Sequence, residues 1–504
     1  MANALRLITA LSNWAAAWAW LVSVVCTCTT QAGTVAFKIV DKEQGQSIPA
    51  RLHLIDPTGK PVKPNLPSLP FWYDHFVIPG EATLDLPSGR YSLTVERGPE
   101  WSAEKTAFTL SDDGSATNIA VTMRRLVNLP REGWWPGEMH VHRPLKDVEL
   151  LMRAEDLHVA QVITWWNDAN PWAQTPIPAS ALRRFDGNRF YDLMAGEDER
   201  GGGALLYFGL PKPLAIAGAK REWPSSVQFL RDARRERGVW VDIEKPFWWD
   251  TPLWLASGQV DSVGIAHNHM HRGGVLGNEA WGRSRDVSQY PTAQGNGNYT
   301  QEIYYRALNA GLHVPPSAGS ASGVLANPVG YNRAYVHVEG ELTWEKWWNG
   351  LRAGQVFVSN GPLLRCRANG QLPGHVFTNA GPLRVRLEGQ LDSRDPIHVV
   401  ELVQNGRAAP IVLPHEFSVN ESGWFLVRAI TDVTNTFRFA STGPFYVELG
   451  GQAMKPTAEA VQFFLDWIAE RRERLATALP DASQRTNVLK FVDEAERVWK
   501  TKLD

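Results

Sequence analysis

Two histidines, His140 and His142, are the sharpest chemical signal in the chain. They lie one residue apart in a strand-like segment, and alternate side chains of a strand point to one face, so Glu138, His140 and His142 share that face. Two imidazoles on one face form a ready clamp for a divalent metal ion. A His-x-His pair also occurs as two structural or exposed histidines, so its meaning depends on where the strand lies.

Two further segments hold candidate ligands. Glu197 directly follows Gly196 in a predicted loop that leads into three glycines, and we assign it as a third ligand, with a solvated charge run as the alternative. Residues 266–271 contain three of the 13 histidines, which makes His267 and His269 additional candidates unless the clustering is random. Neutral imidazoles with a carboxylate suit zinc, manganese or iron.

The cysteines narrow the choice of ligand. Only Cys366 belongs clearly to the mature fold, because Cys26 and Cys28 lie in or beside a predicted leader. No internal disulfide and no thiolate site is then available, so any metal must be held by His, Asp or Glu.

Tryptophan is the other unusual component, with 22 in the chain. Trp165, Trp166 and Trp248 follow predicted strands, where their indole faces could line a cleft for an apolar, aromatic or sugar ring. Packing in the core is the main alternative. We assign the three to substrate binding.

Residues 127–362 must position these groups, and here strand-like runs alternate with helical ones. Helices are predicted from Asp147 to Ala160 and from Ser225 or Ser226 to Gly238, with strands at 161–166 and 239–243. Repeated βα units imply a parallel sheet, and at this length a closed barrel is favoured over an open sheet. His140 and His142 then lie on its first strand, and barrel active sites lie at the C-terminal ends of the strands.

The flanking regions predict separate modules. Residues 33–126 show short alternating runs typical of a β-sandwich, similar at two short segments to carboxypeptidase-regulatory-like domains, with Asp74-His75 as their one adjoining carboxylate and histidine. A second β domain is predicted at 363–451. Residues 452–504 form helices that dock on the barrel or on a partner. The predicted fold class is multidomain α/β plus β.

The first 32 residues predict export to the periplasm or the extracellular space. Arg6, an apolar run over 11–25 and the small-residue segment 30–32 are typical of a cleaved signal peptide, which leaves no stable membrane span. An uncleaved anchor is the alternative. A formal charge of -2 gives no electrostatic reason to expect nucleic acid as a partner.

Five segments carry a family resemblance: 137–142, 195–197, 315–320, 330–333 and 359–362. Across 127–374 the sequence resembles the polymerase and histidinol phosphatase (PHP) superfamily, and within it the CehA/McbA-type metallohydrolases related to carbaryl hydrolase. The resemblance implies a distorted (β/α)7 barrel with up to three divalent metals that activate water against ester-like bonds. By position, His140 and His142 match its first metal motif and Glu197 its second.

The chain also departs from that pattern. It reads Thr164-Trp165-Trp166 where the family has Thr-Asp-His, Lys245-Pro246 where a His-Pro is expected, and lacks two ligands over 319–323. We therefore expect one or two ions rather than three. Lys245 and Arg333 are assigned as catalytic groups that replace a metal's charge or bind an anionic substrate, with a structural salt bridge as the alternative for Arg333. Asn332, from the 330–333 motif, is assigned to substrate binding.

The sequence thus predicts an exported metal-dependent hydrolase. Metal-activated water would attack an ester, amide or phosphoester bond of a small-molecule or carbohydrate substrate. The alternative is a non-catalytic binding protein that keeps the barrel and uses a Trp-lined cleft for a carbohydrate or aromatic ligand.

Overall fold

The computed structural model describes residues 32–113 and 115–503. The predicted signal peptide lies outside the described residues except for Ala32, where the first strand begins. Within those ranges the protein is a mixed α/β chain rich in sheet. No helix there has the length and apolar content that a bilayer crossing needs.

The N-terminal region consists of two antiparallel-rich sheets packed around a shared apolar core. Its strands are β1 (Ala32–Asp41), β2 (Ala50–Ile55), β3 (Phe71–Trp72), β4 (His75–Ile78), β5 (Glu81–Pro87), β6 (Gly89–Glu96), β7 (Glu104–Leu110) and β8 (Thr117–Met123). One sheet has the order β5-β1-β8 and the other β3-β4-β2-β6-β7. Alternation explains the packing: in β6, Tyr91, Leu93 and Val95 are buried and Ser92 is exposed.

The middle region alternates strands and helices. Its strands are β9 (Trp134–Val141), β10 (Val159–Trp166), β11 (Leu182–Phe185), β12 (Arg189–Arg200), β13 (Gly203–Phe208), β14 (Trp240–Ile243), β15 (Ser262–Ala266), β16 (Met270–His271), β17 (Gly274–Val275), β18 (Pro316–Ala318), β19 (Arg333–His337) and β20 (Val356–Ser359). Its helices are α1 (Leu145–Ala154), α2 (Ser226–Ala233), α3 (Thr251–Ala256), α4 (Gly295–Asn309) and α5 (Trp344–Arg352), with 3₁₀ turns at Leu129–Glu132 and Pro171–Ala173.

Local signals placed the start of α2 correctly, whereas α1 begins at Leu145, ahead of the predicted cap at Asp147, and both helices end earlier than predicted. The Ser225 side chain accepts a hydrogen bond from the Val227 N–H and caps α2, as predicted. The helix predicted to reach Ala160 ends at Ala154, because Asp156 takes a left-handed backbone conformation and β10 begins at Val159.

Seven neighbouring strands of the main sheet form a row from β18 to β9, and beyond β9 the same sheet continues through β19 and β20. The row runs β18-β15-β14-β13-β12-β10-β9, and beyond β18 the chain returns to β9, where Val141 forms a parallel bridge with Ser322. The predicted parallel sheet is wrong at several strands: β11 is antiparallel to β12, β19 to β9 and β20 to β19, and one strand inside the row is antiparallel as well. β13 runs antiparallel to both β12 and β14, because β12 and β13 form a hairpin that turns at Gly201 and Gly202.

The C-terminal β region shares part of its sheet with the middle region. Its strands are β21 (Leu363–Ala368), β22 (Val376–Asn379), β23 (Leu383–Asp392), β24 (Ile397–Gln404), β25 (Arg407–Pro410), β26 (His415–Val419), β27 (Gly423–Thr431), β28 (Phe439–Thr442) and β29 (Phe445–Leu449). β21, β23 and β26 form a small sheet of their own. β20 pairs with β28, so the main sheet continues through the boundary predicted at residue 362.

Two long helices close the chain, α6 (Ala458–Ala478) and α7 (Ala482–Thr501). Both dock on the middle region rather than projecting from it. The Trp499 indole donates to the Pro252 carbonyl, and Arg471 pairs with Asp250 and Glu222. The docking expected from their apolar faces is therefore made within this chain.

Candidate metal centre

Strand β9 sets the two histidines in place. All eight of its residues are buried, since β10 pairs on one side of it and β19 on the other. His140 is 2% exposed. Gly319 packs directly on it: a Cβ added at Gly319 would lie 2.5 Å from the His140 Cβ, so only glycine allows this close approach.

Glu197 reaches the histidines from β12 and not from a loop. The predicted loop at 194–200 is wrong, because the segment is the end of a long strand paired with β10 and β13. Glu197 lies level with Trp166, the last residue of β10. Its carboxylate is buried beside the end of β9.

Three ligand atoms converge on one point. Nε2 of His140 lies 2.9 Å from Nε2 of His142, and Oε2 of Glu197 lies 3.3 Å from the first and 3.1 Å from the second. Atoms that bind one ion at about 2.1 Å, in tetrahedral or octahedral geometry, lie about 3.0–3.4 Å from one another. The group therefore fits a single divalent ion with further positions open.

The electrostatics favour positive charge at this place, and a metal ion that binds here must displace the proton of His140. Burial opposes ionisation of Glu197, but His140 and His142 outweigh it and hold the pKa of this carboxyl well below its usual range. Burial likewise disfavours the charged form of His140, yet Glu197 and Glu244 raise the pKa of its imidazole. An anionic group in contact with two imidazole nitrogens attracts a cation strongly in a buried site.

Glu244 is a residue of the candidate site that the sequence reasoning missed. Its Oε1 lies 3.4 Å from Nδ1 of His140, and neither atom has a hydrogen-bond partner elsewhere among the described residues. Its Oε2 accepts from the Trp248 indole at 2.9 Å and pairs with the Lys245 ammonium. The available signal was a carboxylate directly after β14, at the end of the strand where ligands are expected.

Lys245 is placed by that pairing. It is buried, and its ammonium lies 4.6 Å from the centre of the Trp248 ring. Because Lys245 and Glu244 form an ion pair, Lys245 stabilises the charged form of the Glu244 carboxylate.

His267 and His269 lie next to Lys245 and outside the converging group. His267 Nε2 is 2.9 Å from the Thr300 hydroxyl, and burial lowers the pKa of His267 to about 3. The ring of Phe247 lies 5.3 Å from each of the two imidazoles. Within the described ranges, the group of mutually close ligand atoms at this place is limited to His140, His142 and Glu197.

The tryptophans assigned to substrate divide into two kinds. Trp165 is 2% exposed, packs on Gly196 and donates to the Met194 carbonyl, while Trp248 is fully buried. Both are core residues, which corrects their assignment to a cleft. Trp166 is partly exposed, and its ring lies 5.0 Å from that of His142.

Asn332 and Arg333 hold loops together. The Asn332 amide donates to the carbonyls of His267 and Met270, and the residue is fully buried. Arg333 donates to the carbonyls of Gly330 and Glu155, on a different face of the region from the histidine group. These contacts are structural, and the predicted roles of Asn332 in substrate binding and of Arg333 in catalysis stay predictions.

Glu138 shares the face of His140 but serves as an anchor. Its carboxylate accepts backbone N–H groups from Ser320 and Gly330. Two loops after β18 are thereby tied to β9, which fixes the strand that carries the histidines.

The N-terminal sandwich reaches the same neighbourhood. The Trp72 indole, on β3, donates to the Leu325 carbonyl at 2.7 Å, and the Arg143 guanidinium lies over the Trp72 ring at 5.4 Å. Because the His142 N–H donates to the Ser322 carbonyl, the β3–β4 hairpin packs on the loop that borders His142.

A second group could also hold a metal ion: His53, Asp74 and His75. The sequence reasoning noted Asp74 and His75 but not His53, which β2 brings beside them. Nδ1 of His53 and of His75 lie 3.2 Å and 2.9 Å from different oxygens of Asp74, and His53 Nε2 accepts from Arg51. This group is satisfied by its own hydrogen bonds and has a guanidinium beside it, so it favours an ion less than the His140 group does.

Comparisons with known proteins add little. No family model matches the chain, and no curated protein matches it. Among solved structures, the Bacillus anthracis TIE protein matches with 19% identity over 22% of this chain and 19% of its own length, at a TM-score of 0.16. A likeness of that size carries no argument about fold or function.

Proposed function

We propose that this chain is an exported metal-dependent hydrolase with a PHP-like barrel and a reduced metal site. One observation carries the proposal: the convergence of Nε2 of His140, Nε2 of His142 and Oε2 of Glu197 within 2.9–3.3 Å. These donors come from two different strands, so their meeting depends on the fold and not on neighbourhood in the chain.

The strand arrangement supports the barrel. Seven neighbouring strands of the main sheet run from β18 to β9, and the segment just after β18 returns to β9, where Ser322 forms a bridge with Val141. His142, Glu244 and His267 each directly follow a strand, on the side of the sheet where barrel enzymes place their sites. The antiparallel β13 is a distortion of the regular (β/α) pattern.

The residues of the site have distinct tasks. His140, His142 and Glu197 would hold the ion, and Glu244 orients the His140 ring through Nδ1 so that Nε2 faces the ion. When bound, a divalent ion supplies Lewis-acid chemistry and a water of lowered pKa, which is what hydrolysis of ester, amide or phosphoester bonds needs. Trp166, beside His142, offers the substrate an apolar surface.

The binding-protein alternative is weaker for a structural reason. It depended on a cleft lined by tryptophans, and two of the three, Trp165 and Trp248, are buried in the core. A small-molecule substrate at the metal centre therefore has better support than ring stacking alone.

The test is metal content and turnover of the purified protein. Wild type is compared with His140→Ala/His142→Ala, and His53→Ala/His75→Ala is the matched control at the second group. We expect about one zinc, manganese or iron per chain that only the first variant loses, together with loss of metal-dependent cleavage of aryl esters or phosphoesters. Wild type without stoichiometric metal after loading, or turnover that survives the first variant, would overturn the proposal.

A further inference from the structure

A cleft of about 620 Å³ lies where the N-terminal sandwich, the middle region and the C-terminal β region meet. We call it the junction cleft. Each of the three regions contributes lining residues, for example Glu96 from the N-terminal sandwich, Arg333 from the middle region and Arg394 from the C-terminal β region. Its volume is that of a small-molecule site, and none of its lining residues belongs to the His140 group.

The junction cleft carries an excess of positive charge. Seven basic side chains line it against three carboxylates, those of Glu96, Glu155 and Asp395. Each carboxylate is already in an ion pair: Glu96 with Arg51 and Arg272, and Asp395 with Arg438 at 2.8 Å. The remaining cations therefore lack a carboxylate of their own.

Of the two inner cations, Arg394 has no carboxylate within 4.0 Å among the described residues, and Arg333 has only a distant one that it shares with Arg51. The nearest carboxylate oxygen to Arg333, Oε2 of Glu155, is 3.9 Å away, and that carboxylate also binds Arg51. Arg394 donates to the carbonyls of Trp101 and Gly98, and within the described ranges no carboxylate lies within 4.0 Å of it. Burial lowers the pKa of Arg394, as expected for a guanidinium whose charge is poorly compensated.

The entrance is basic as well. Lys105 and Arg124 line the junction cleft, are exposed to solvent, and form no ion pair with any described residue. Exposed cations at the mouth of a cleft raise the local concentration of anions and steer them inward.

We propose that the junction cleft binds a small organic anion through a phosphate or carboxylate group. Each guanidinium binds two backbone carbonyls, through Nε and Nη2 in Arg394 and through Nε and Nη1 in Arg333. Nη1 of Arg394 and Nη2 of Arg333 keep N–H groups that can donate to the oxygens of a phosphate or a carboxylate. A ligand held there would contact all three regions at once and so hold them in one arrangement. It would stabilise the folded chain in proportion to the logarithm of its concentration.

The experiment is calorimetric titration of the full mature chain with inorganic phosphate and with succinate, at ionic strength held constant with sodium chloride. We expect at least one of the two to bind wild type, and Arg394→Gln to weaken that binding about 10-fold or more, as loss of a hydrogen bond to a charged group predicts. Arg367→Gln is the matched control, because Arg367 is exposed and bound to a backbone carbonyl, away from the cleft. Comparison of the two anions tells which group the site takes.

The Arg394 variant also distinguishes the two possible anion sites, because Arg394 lines the junction cleft and is not part of the His140 group. If Arg394→Gln does not fold, the exposed pair Lys105→Gln/Arg124→Gln replaces it, and binding should weaken with a smaller dependence on salt. The proposal would be refuted if phosphate and succinate gave wild type no more binding heat and no larger rise in melting temperature than sodium chloride does. Binding that neither the Arg394 variant nor the Lys105/Arg124 variant changes would refute it as well.

Discussion

Oε1 of Glu244 lies 3.4 Å from Nδ1 of His140, on the side of the imidazole away from His142. A carboxylate in this position fixes the orientation and tautomer of a metal-binding histidine, and its loss commonly costs about 10–100-fold in metal affinity. We therefore expect Glu244→Gln to weaken metal binding by that factor while the fold survives. Competition with a chelator measures the affinity, and circular dichroism checks the fold.

The matched control for that change is Glu401→Gln, which removes a partly buried carboxylate paired with Arg428 in the C-terminal β region. It should leave metal affinity unchanged. Equal affinities in wild type and Glu244→Gln would show that Glu244 does not support the ligand.

Gly196 lies against the face of the Trp165 indole, so close that any Cβ there would overlap the ring. Gly196→Ala must displace either a buried tryptophan or the strand that carries Glu197. We expect a loss of about 1–3 kcal/mol in the free energy of unfolding, typical of an overpacked core. Urea denaturation measures it, and Gly277→Ala, where an added Cβ meets no neighbour, should be nearly neutral.

His158 makes stability depend on pH. It is buried against Trp135, and burial lowers its pKa to about 3 from an ordinary 6.5. As pH falls below 6.5 the unfolded chain binds a proton there that the folded chain does not, so stability falls, by up to about 1.4 kcal/mol per pH unit.

His158→Gln removes this contribution, and its free energy of unfolding should fall less steeply than that of wild type between pH 6.5 and pH 4. Denaturation at a series of pH values gives the slopes. His398→Gln, at an exposed position, should keep the wild-type slope. Parallel curves for wild type and His158→Gln would contradict the assignment.

Arg471 holds helix α6 to the middle region by ion pairs with Asp250 at 2.7 Å and Glu222 at 2.6 Å. Arg471→Met leaves the buried Asp250 carboxylate without its cation, which costs about 3–5 kcal/mol. We expect a lower melting temperature and faster proteolytic release of the C-terminal helices. Arg472→Met, which breaks only exposed pairs with Asp493 and Glu496, should cost less than about 1 kcal/mol.

Local patterns were sufficient for part of the site. The alternation of β9 placed His140 and His142 on one face. Glu197 was predicted from its position after Gly196 and matched the second motif of the resemblance, and the structure sets it within 3.3 Å of both histidines. Glu244 was out of reach because its role depends on a contact across more than 100 residues of chain. Its position directly after a strand was the one available signal, and that position does not tell which side chain the carboxylate contacts.

Strand direction was equally hidden. A fully buried strand such as β13 has the same apolar texture whether it runs parallel or antiparallel to its neighbours, so periodicity could not reveal the hairpin with β12. The burial of Trp165 was hidden for a similar reason: an indole at a strand end can face a cleft or the core, and Gly196 on the adjacent strand decides which.

The pairing of β20 with β28 has a practical consequence for anyone who wishes to shorten this protein. Truncation at residue 362 would leave β20 paired with β19 on one side only, with unsatisfied backbone donors and acceptors along the other edge of an apolar strand, and such an edge promotes aggregation. A fragment that ends at about residue 451 keeps that edge covered. A fragment that contains the histidine group and is meant to stay in solution therefore has to include the C-terminal β region.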